Sequence, residues 1–525
     1  MRGACLGVLL LQATVSACAP SPPPLYVPGP TRSQPEPSPE GLARAGARPV
    51  SVVAKRNPES HVVAFRIAFA SGSADDPQGK EGLTRLTAST MAEGGTAARS
   101  YAELASALYP LAASIRVHVD RDETVFFADV SRDAVQAFYP ILAEVLLTPR
   151  LDEAGVGRMR SRAQSELADE LRGANDEALG KEALASSIYE GHPYGHPPVG
   201  TEGGLRASTP ADVRSQRARV FCKGRALLGI AGGFPEGFDE RFAKDFEALP
   251  ACPTARAELP TPAAVPSPRV LIVHKETAAS TAISIGMPAD FTRSSPDFAA
   301  LTFFTDYLGL HRQSAGRLFH ELRERRGLNY GDYAYSEYFE QDEQSRFALP
   351  NLVRRQQMVS LWLRPVRPPN AGFALRAALH VYREALEHGV SEEEIVRYRT
   401  FLTRYTALEE LTETRRLGRA MDDQSYGARG PFLEVLREGW KRLDPASLAA
   451  ATGAHLGGRS FVIAIVAKDA TALAAELASG APTPPVYDAP KPPEVQAEDM
   501  QISRVPLGLS KESVRIVEYT DLFKE

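Results

Sequence analysis

Apolar and polar positions change their period repeatedly along the chain, and each change marks an element. In residues 61–70, HVVAFRIAFA, Phe65, Ile67 and Phe69 alternate among β-branched neighbours, which predicts a strand. After the turn GSADDP, Leu83, Leu86, Thr90 and Met91 recur at helical spacing within residues 79–96, GKEGLTRLTASTMAEGGT. A short amphipathic helix therefore follows Gly82 and stops at Gly94 and Gly95, with positions 85 and 89 on one face. A helix from about Tyr101, strands near 114–119 and 124–130 joined by a charged turn at Asp120 to Asp122, and a helix over 133–147 come next. Residues 158–188 carry Glu, Arg and Ala at helical density without proline, which places Glu166, Asp169 and Glu170 on a helix. In the loop GHPYGHPPVGTEGGL, His192 and His196 stand four apart, but Pro193, Gly195, Pro197 and Pro198 exclude a regular helix, so no shared metal is expected. A strand over 224–234 closes this half.

A proline-rich joint, LPTPAAVPSP at 259–268, precedes a second round of the same order. It runs through a strand in VLIVHKETAASTAISIGM, the turn SSPD, a helix in FAALTFFTDYLG and a helix around RLFHELRERRG. Strands, two helices within 371–424 and a last strand at 461–467 complete it. An order of elements that recurs after roughly two hundred residues predicts an α+β fold of two homologous modules, each an antiparallel sheet with helices packed on it. The modules are placed at 51–256 and 269–478, with a linker at 257–268 and a proline-rich tail at 479–525. QISRV and SVRIVEYT in that tail alternate like strands, and the tail is expected to pack along the body or a partner.

Composition narrows the compartment and the partners. With 525 residues, 43% hydrophobic and 24% charged, the chain can build more than one core. A net charge of −5 and the absence of Lys/Arg runs give no reason to bind nucleic acid. Residues 1–18, MRGACLGVLLLQATVSAC, have a basic start, an apolar run and small residues before a cysteine, the pattern of an export signal. The ending Val15-Ser16-Ala17-Cys18 resembles a bacterial lipobox, which implies cleavage before Cys18 and its lipidation; ordinary secretory cleavage near Ala17 is the alternative. Ala19 stands where an inner-membrane retention signal places Asp, so the resemblance implies an outer-membrane lipoprotein facing the periplasm of a bacterial envelope. Residues 19–50 then form a proline-rich tether. No later stretch is long and apolar enough to span a bilayer. Cys222 and Cys252 either pair or stay as isolated thiols.

The frame of residues 79–96 resembles the zinc helix of the insulinase/pitrilysin family of inverted zinc peptidases, whose mark is G-L-x-H-x-x-E-H. There, two histidines one turn apart hold the metal and the glutamate is the general base. Those positions are Arg85, Ala88 and Ser89 here, so both ligands and the base are replaced. Arginine has no lone pair to give, alanine no base, and a neutral hydroxyl is a poor zinc ligand. The family's third ligand, a glutamate further on, best fits Glu166, with Asp169 and Glu170 as competitors. The resemblance implies that the two modules form one clam-like half of a chamber.

A second block, GRLFHELRERRGLNY at 316–330, resembles the family's C-terminal R-L-F-x-x-L-R-x-x-x-G-L-x-Y. The resemblance implies that Arg323 and Tyr330 hold the substrate backbone near a metal, because guanidinium and phenol donate to carbonyl oxygens and to a developing oxyanion. The alternative is a solvated helix face, since Glu324, Arg325 and Arg326 surround Arg323.

The leading expectation is a catalytically inactive, zinc-free subunit of a two-chain peptidase of the mitochondrial-processing-peptidase type. It binds extended peptide for a zinc-bearing homologous partner and needs no cofactor of its own. A surface lipoprotein that captures peptides by strand addition without any peptidase role is the alternative. An active zinc peptidase with atypical ligands is the weakest, because Arg85 puts a cation where the metal must sit.

Overall fold

Two sheets of the same connectivity organise the chain, whose computed structural model describes residues 50–342, 345–428 and 430–525. The first sheet contains β1 (Ser51–Arg56), β2 (Val62–Phe69), β3 (Arg116–Val119), β4 (Thr124–Ser131) and β5 (Ala226–Gly232), in the order β1-β5-β2-β4-β3. The second contains β6 (Arg269–His274), β7 (Thr281–Ala289), β8 (Gly331–Tyr335), β9 (Gln357–Val366), β10 (Val462–Ala467) and β11 (Val514–Glu518), in the order β11-β6-β10-β7-β9-β8. Replacing β1, β5, β2, β4 and β3 by β6, β10, β7, β9 and β8 maps one onto the other. The pairing sense maps too: the first pair is parallel in each sheet and the other three are antiparallel. The repeat expected from the sequence is thus present in the hydrogen bonding. β11 is the addition, pairing parallel to β6 outside the repeat.

The first module's helices are α1 (Leu83–Glu93), α2 (Tyr101–Leu108), α3 (Val135–Leu147), α4 (Glu153–Ser165), α5 (Asp176–Ile188), α6 (Glu202–Ala207), α7 (Pro210–Val220) and α8 (Phe238–Phe246). Next come α9 (Phe298–Gly309), α10 (Ala371–His388), α11 (Glu392–Thr406), α12 (Glu413–Tyr426), α13 (Phe432–Lys441), α14 (Pro445–His455), α15 (Ala470–Ser479) and α16 (Pro493–Ile502). Residues 371–424 thus hold the starts of three helices where two were expected. Residues 158–188 are helical but not as one α-helix. Glu166–Ala174 is π-helical, and Asn175 restarts the chain by capping α5 through the Ala178 amide. QISRV is the end of α16 and a turn, not a strand, because Pro492 and Pro493 open a helix upstream of it. SVRIVE does form a strand, β11.

Each sheet packs helices of its own module on one face and a helix of the other module on the opposite face. Phe65 of β2 meets Phe138, Tyr139, Phe238 and Phe242 on the first module's own side. On the reverse face Ala64, Ala68, Val125 and Ala231 take Leu417 and Met421 of α12. Gly229 makes that approach possible, since a side chain there would collide with Met421 and Leu417. The second sheet reciprocates by packing Leu271, Val273, Ala464 and Val466 against α5, with Gly286 leaving room for Leu184 and Ile188. Cys222 and Cys252 are joined as a disulfide that ties the end of α7 to the stretch beyond α8.

The β3–β4 turn, the charged turn expected at Asp120 to Asp122, is buried between the modules. Asp120, Arg121, Asp122 and Glu123 are each no more than 4% exposed. Arg354, from the segment before β9, grips both oxygens of Asp120 at 2.6 and 2.5 Å and lies 3.4 Å from the centre of the Tyr338 ring. Asp122 accepts from the Arg355 amide at 2.7 Å, the Arg355 side chain at 2.9 Å, Arg256 at 2.6 Å and the Tyr194 hydroxyl. Burial alone raises a carboxyl pKa, yet these cations outweigh it and hold Asp120 and Asp122 below their ordinary 3.8.

Truncating one partner of this seam leaves a buried charge alone, so Arg354→Met is expected to cost about 3 to 5 kcal/mol in urea denaturation. A loss within about 1 kcal/mol would show that the pair does not hold the modules. Because both folded carboxyls titrate below the unfolded value of 3.8, their contribution is present above that pH and is lost as pH falls below it. Melting temperature in wild type is expected to drop on that acid limb, and the drop should be shallower in Asp120→Asn.

Candidate functional site

The start of α1 is built by backbone constraints that leave little freedom. Gly82 sits at φ 100°, and a Cβ there would meet the carbonyl of Val199 and the Cα of Gly200 in the HPYGHPPVG loop. Asp76 accepts from the amides of Gly82 and Thr84 at 2.7 Å each and from the Thr84 hydroxyl at 2.6 Å, so it caps the helix from a distance. Burial pushes this carboxyl up to about 6, against the pull of nearby His196 and of those hydrogen bonds. His192 and His196 do not converge: His192 contacts the carbonyl of Pro260 and accepts from the amide of Tyr194, and His196 contacts the carbonyl of Pro197.

On α1, Arg85 and Ser89 lie on the half-exposed face while Ala88 is fully buried among the apolar side chains under the first sheet. Arg85 bonds both carboxylate oxygens of Glu166, at 2.7 and 2.8 Å, where the π-helical turn begins. Asp169 and Glu170 point into solvent, so of the three candidate carboxylates Glu166 is the one facing position 85. The arrangement does not fit a zinc ion: the carboxylate is taken by a permanent cation, and among the described residues no imidazole or thiolate joins it in a ligand cluster. Among the described residues, the one set of three His, Cys, Asp or Glu side chains close enough to share an ion is Glu384, Glu387 and His388, at the end of α10.

Arg323 and Tyr330 meet in the second module. Phe319–Glu324 is a π-helical turn, and Arg323 projects from it between two rings, 4.7 Å from the centre of Phe319 and 5.1 Å from that of Tyr330. One of its N–H groups donates to the Tyr330 carbonyl at 3.1 Å, which leaves other guanidinium donors unspent. Tyr330 is 69% exposed and immediately precedes β8, the edge strand of the second sheet. The pair lines a groove of about 420 Å³ with Ser280, Asn329 and Pro365. Next to it, burial pushes the Asp332 carboxyl up to about 7, with Asn329 and Arg323 pulling it back. No hydrogen bond or ion pair among the described residues links this groove to Arg85 or Glu166.

The neighbouring arginines are not the solvated face that their spacing suggests. Arg326 is 1% exposed and binds Asp499 and Glu498 of α16 at 2.8 Å each, while Arg325 also reaches Glu498. The tail thereby holds the 316–330 block in place, and Tyr487 adds a bond to Asp499 at 2.7 Å. Its acidic residues, Glu498 and Asp499, lie opposite the arginine pair in charge but far from it in sequence, and nothing in the spacing linked them.

Comparison with known proteins bears on the family and the fold. The profile of insulinase, peptidase family M16, matches residues 51–202, and that of the peptidase M16 inactive domain matches residues 208–402. An uncharacterised zinc protease of Mycobacterium leprae is 26% identical over 254 residues, a match that spans 46% of this chain and about half, 54%, of that protein. The β subunit of the mitochondrial processing peptidase of Neurospora crassa is 26% identical over 161 residues, 30% of this chain and 33% of that one. Among solved structures, a peptidase M16 inactive domain from Pseudomonas fluorescens superposes with a TM-score of 0.69 at 22% identity, covering 81% of this chain and 97% of that one. A protease from Helicobacter pylori gives a TM-score of 0.67 at 13% identity, covering 81% and 98%. With two profiles of one family on consecutive stretches and its fold in both sheets, the chain belongs to the insulinase peptidase family M16.

Proposed function

We propose that this chain is the zinc-free, substrate-holding subunit of a two-chain insulinase-type peptidase. The observation that carries the reading is an asymmetry between the modules. Where the family's zinc helix should coordinate metal, Arg85 is bonded to Glu166; where the second module should hold substrate, Arg323 and Tyr330 stand together at an open groove. In this reading the partner supplies the metal and the base. Arg323 and Tyr330 donate to carbonyl oxygens of an extended peptide, whose backbone runs along the edge strand that starts after Tyr330. Ala88 weighs against a lapsed active site that regains function by small changes, since a glutamate there would be a carboxylate in an apolar core. A peptide-capturing lipoprotein without a peptidase partner uses the same groove and differs only in what co-purifies with it. We assign the chain to the outer membrane, facing the periplasm, held by lipid on Cys18 and the tether at 19–50, which lie outside the described residues except for Val50.

Purified protein is expected to carry no stoichiometric zinc and to cleave no peptide alone; metal analysis showing one tightly held zinc per chain would sink the assignment. A pull-down from detergent extract should bring one zinc-bearing homologue, and its absence would favour the stand-alone binder.

In the reconstituted pair, Arg323→Ala or Tyr330→Phe should lower kcat/KM about ten- to a hundredfold, the loss of a charged hydrogen bond worth about 1.5 to 3 kcal/mol. Melting temperature should barely move. Unchanged turnover in both variants would remove the proposed role of the groove.

Cys18→Ser should release the protein to the soluble fraction or block its processing, because stable anchoring needs more than one acyl chain, at about 0.8 kcal/mol per buried CH₂. A variant that still fractionates with membranes would show another anchor.

A further inference from the structure

Tyr330 borders a second recess besides the groove it shares with Arg323. This recess, of about 240 Å³, is lined by Glu177 and Lys181 of α5, His311 and Arg312 after α9, Tyr330, and Arg364 of β9. It therefore lies where the first module's crossing helix meets the second sheet. Its charges do not balance. Arg364 is paired with Glu177 at 3.0 Å, which uses the recess's one lining carboxylate. Among the described residues neither Lys181 nor Arg312 has a hydrogen bond or a contact ion pair; the Lys181 ammonium sits 3.7 Å from the centre of the Trp362 ring, and Glu177, Glu340 and Glu182 act on it only from beyond ion-pair distance.

The remaining groups do not correct the imbalance. His311 is bonded through Nδ1 to the Tyr335 hydroxyl and through Nε2 to Gln341. Burial drives its pKa down to about 4, so it is neutral at ordinary pH and adds no charge. Burial, followed by repulsion from Arg364, pulls Lys181 down to about 7 against the attraction of Glu177, Glu340 and Glu182, so a carboxylate brought close to it would favour its charged form. Arg312 is exposed at the mouth, with its backbone held at φ 53°, a left-handed conformation that non-glycine residues seldom adopt.

We infer that this recess is an acid-selecting subsite: it receives a carboxylate of the peptide lying across Arg323 and Tyr330, with Lys181 and Arg312 as its counter-ions. The inference rests on the peptide-holding reading and adds the substrate class. The carboxylate comes from an Asp or Glu side chain or from the peptide's own C-terminal end, and both suit a small recess next to a groove for extended chain. Lys181 and Arg312 are specificity-determining here; neither touches the scissile bond.

The test is fluorescence anisotropy with the purified full chain and three labelled peptides of one length. One has an internal Glu and an amidated end, one has Gln in its place and an amidated end, and one has Gln and a free carboxyl end; the Glu/Gln position is scanned along the peptide. Wild type is expected to bind one of the two carboxylate-bearing peptides about tenfold tighter than the neutral one, and which of them gains identifies the source of the carboxylate. The double substitution Lys181→Gln/Arg312→Gln should erase that gain and leave the affinity for the neutral peptide unchanged. Arg312→Gln alone, at an exposed position that leaves the packing on Trp362 intact, should remove part of it. Equal binding of all three peptides by wild type, or a gain that survives the double substitution, overturns the subsite while leaving the groove standing. Arg323→Ala should weaken all three in parallel; if it changes none while the acid preference persists, the groove assignment fails and the subsite stands. Failure of every peptide to bind overturns both.

Discussion

Two buried carboxylates, Asp120 and Asp122, are the constraint on which the arrangement of the two modules depends. They sit at the tip of the β3–β4 turn, where the first sheet reaches furthest into the second module, and they are matched by Arg354, Arg355 and Arg256. A buried ion pair is weak evidence of net stability, because desolvation offsets most of the attraction. Its strength lies in register: a rigid guanidinium meeting both oxygens of Asp120 fixes where one sheet stands against the other far more narrowly than apolar contact does. The exchange of α5 and α12 across the same boundary then supplies the apolar burial. Neither helix could pack without the space left at Gly286 and Gly229. The recess at Lys181 inherits its walls from this alignment, since α5 lines one side of it and the second sheet another, whereas the groove at Arg323 is built by the second module alone.

The strands and most helices were legible because their apolar positions follow one period at a time, and the repeat was legible because the order of elements recurs. Residues that serve contacts across the modules were not. Asp120, Arg121 and Asp122 read only as a charged turn, because local pattern cannot show whether such a turn stands in water or is met by arginines more than two hundred residues away. Arg326 read as one of several surface arginines for the same reason, its partners being in the tail. The π-helical turns at Glu166 and Phe319 leave no mark in composition, yet each carries a residue of the candidate sites. The motif resemblance singled out positions 85, 88, 89, 166, 323 and 330, and it could not reveal that Arg85 would bond to Glu166.

That bond shows why a fold does not decide an activity. A guanidinium satisfies Glu166 with two short hydrogen bonds and an opposite charge, so this carboxylate is held in place by the protein's own side chains. Ala88, on the same helix, is part of the apolar core. In the second module Arg323 and Tyr330 stand together at an open groove, with Tyr330 at the surface.

The sixth strand of the second sheet has a consequence for the order in which the chain folds. β6 and β11 are neighbours in space and separated by nearly the whole second module in sequence, and a parallel pairing of that kind closes a very long loop. The strands β6 to β10 are made first and leave the outer edge of β6 open until residues 514–518 arrive. During that interval the edge is an unpaired template for any extended segment, including one from another copy. Pairing with the chain's own last strand is what closes that edge, so the tail serves as its cover as well as its sixth strand.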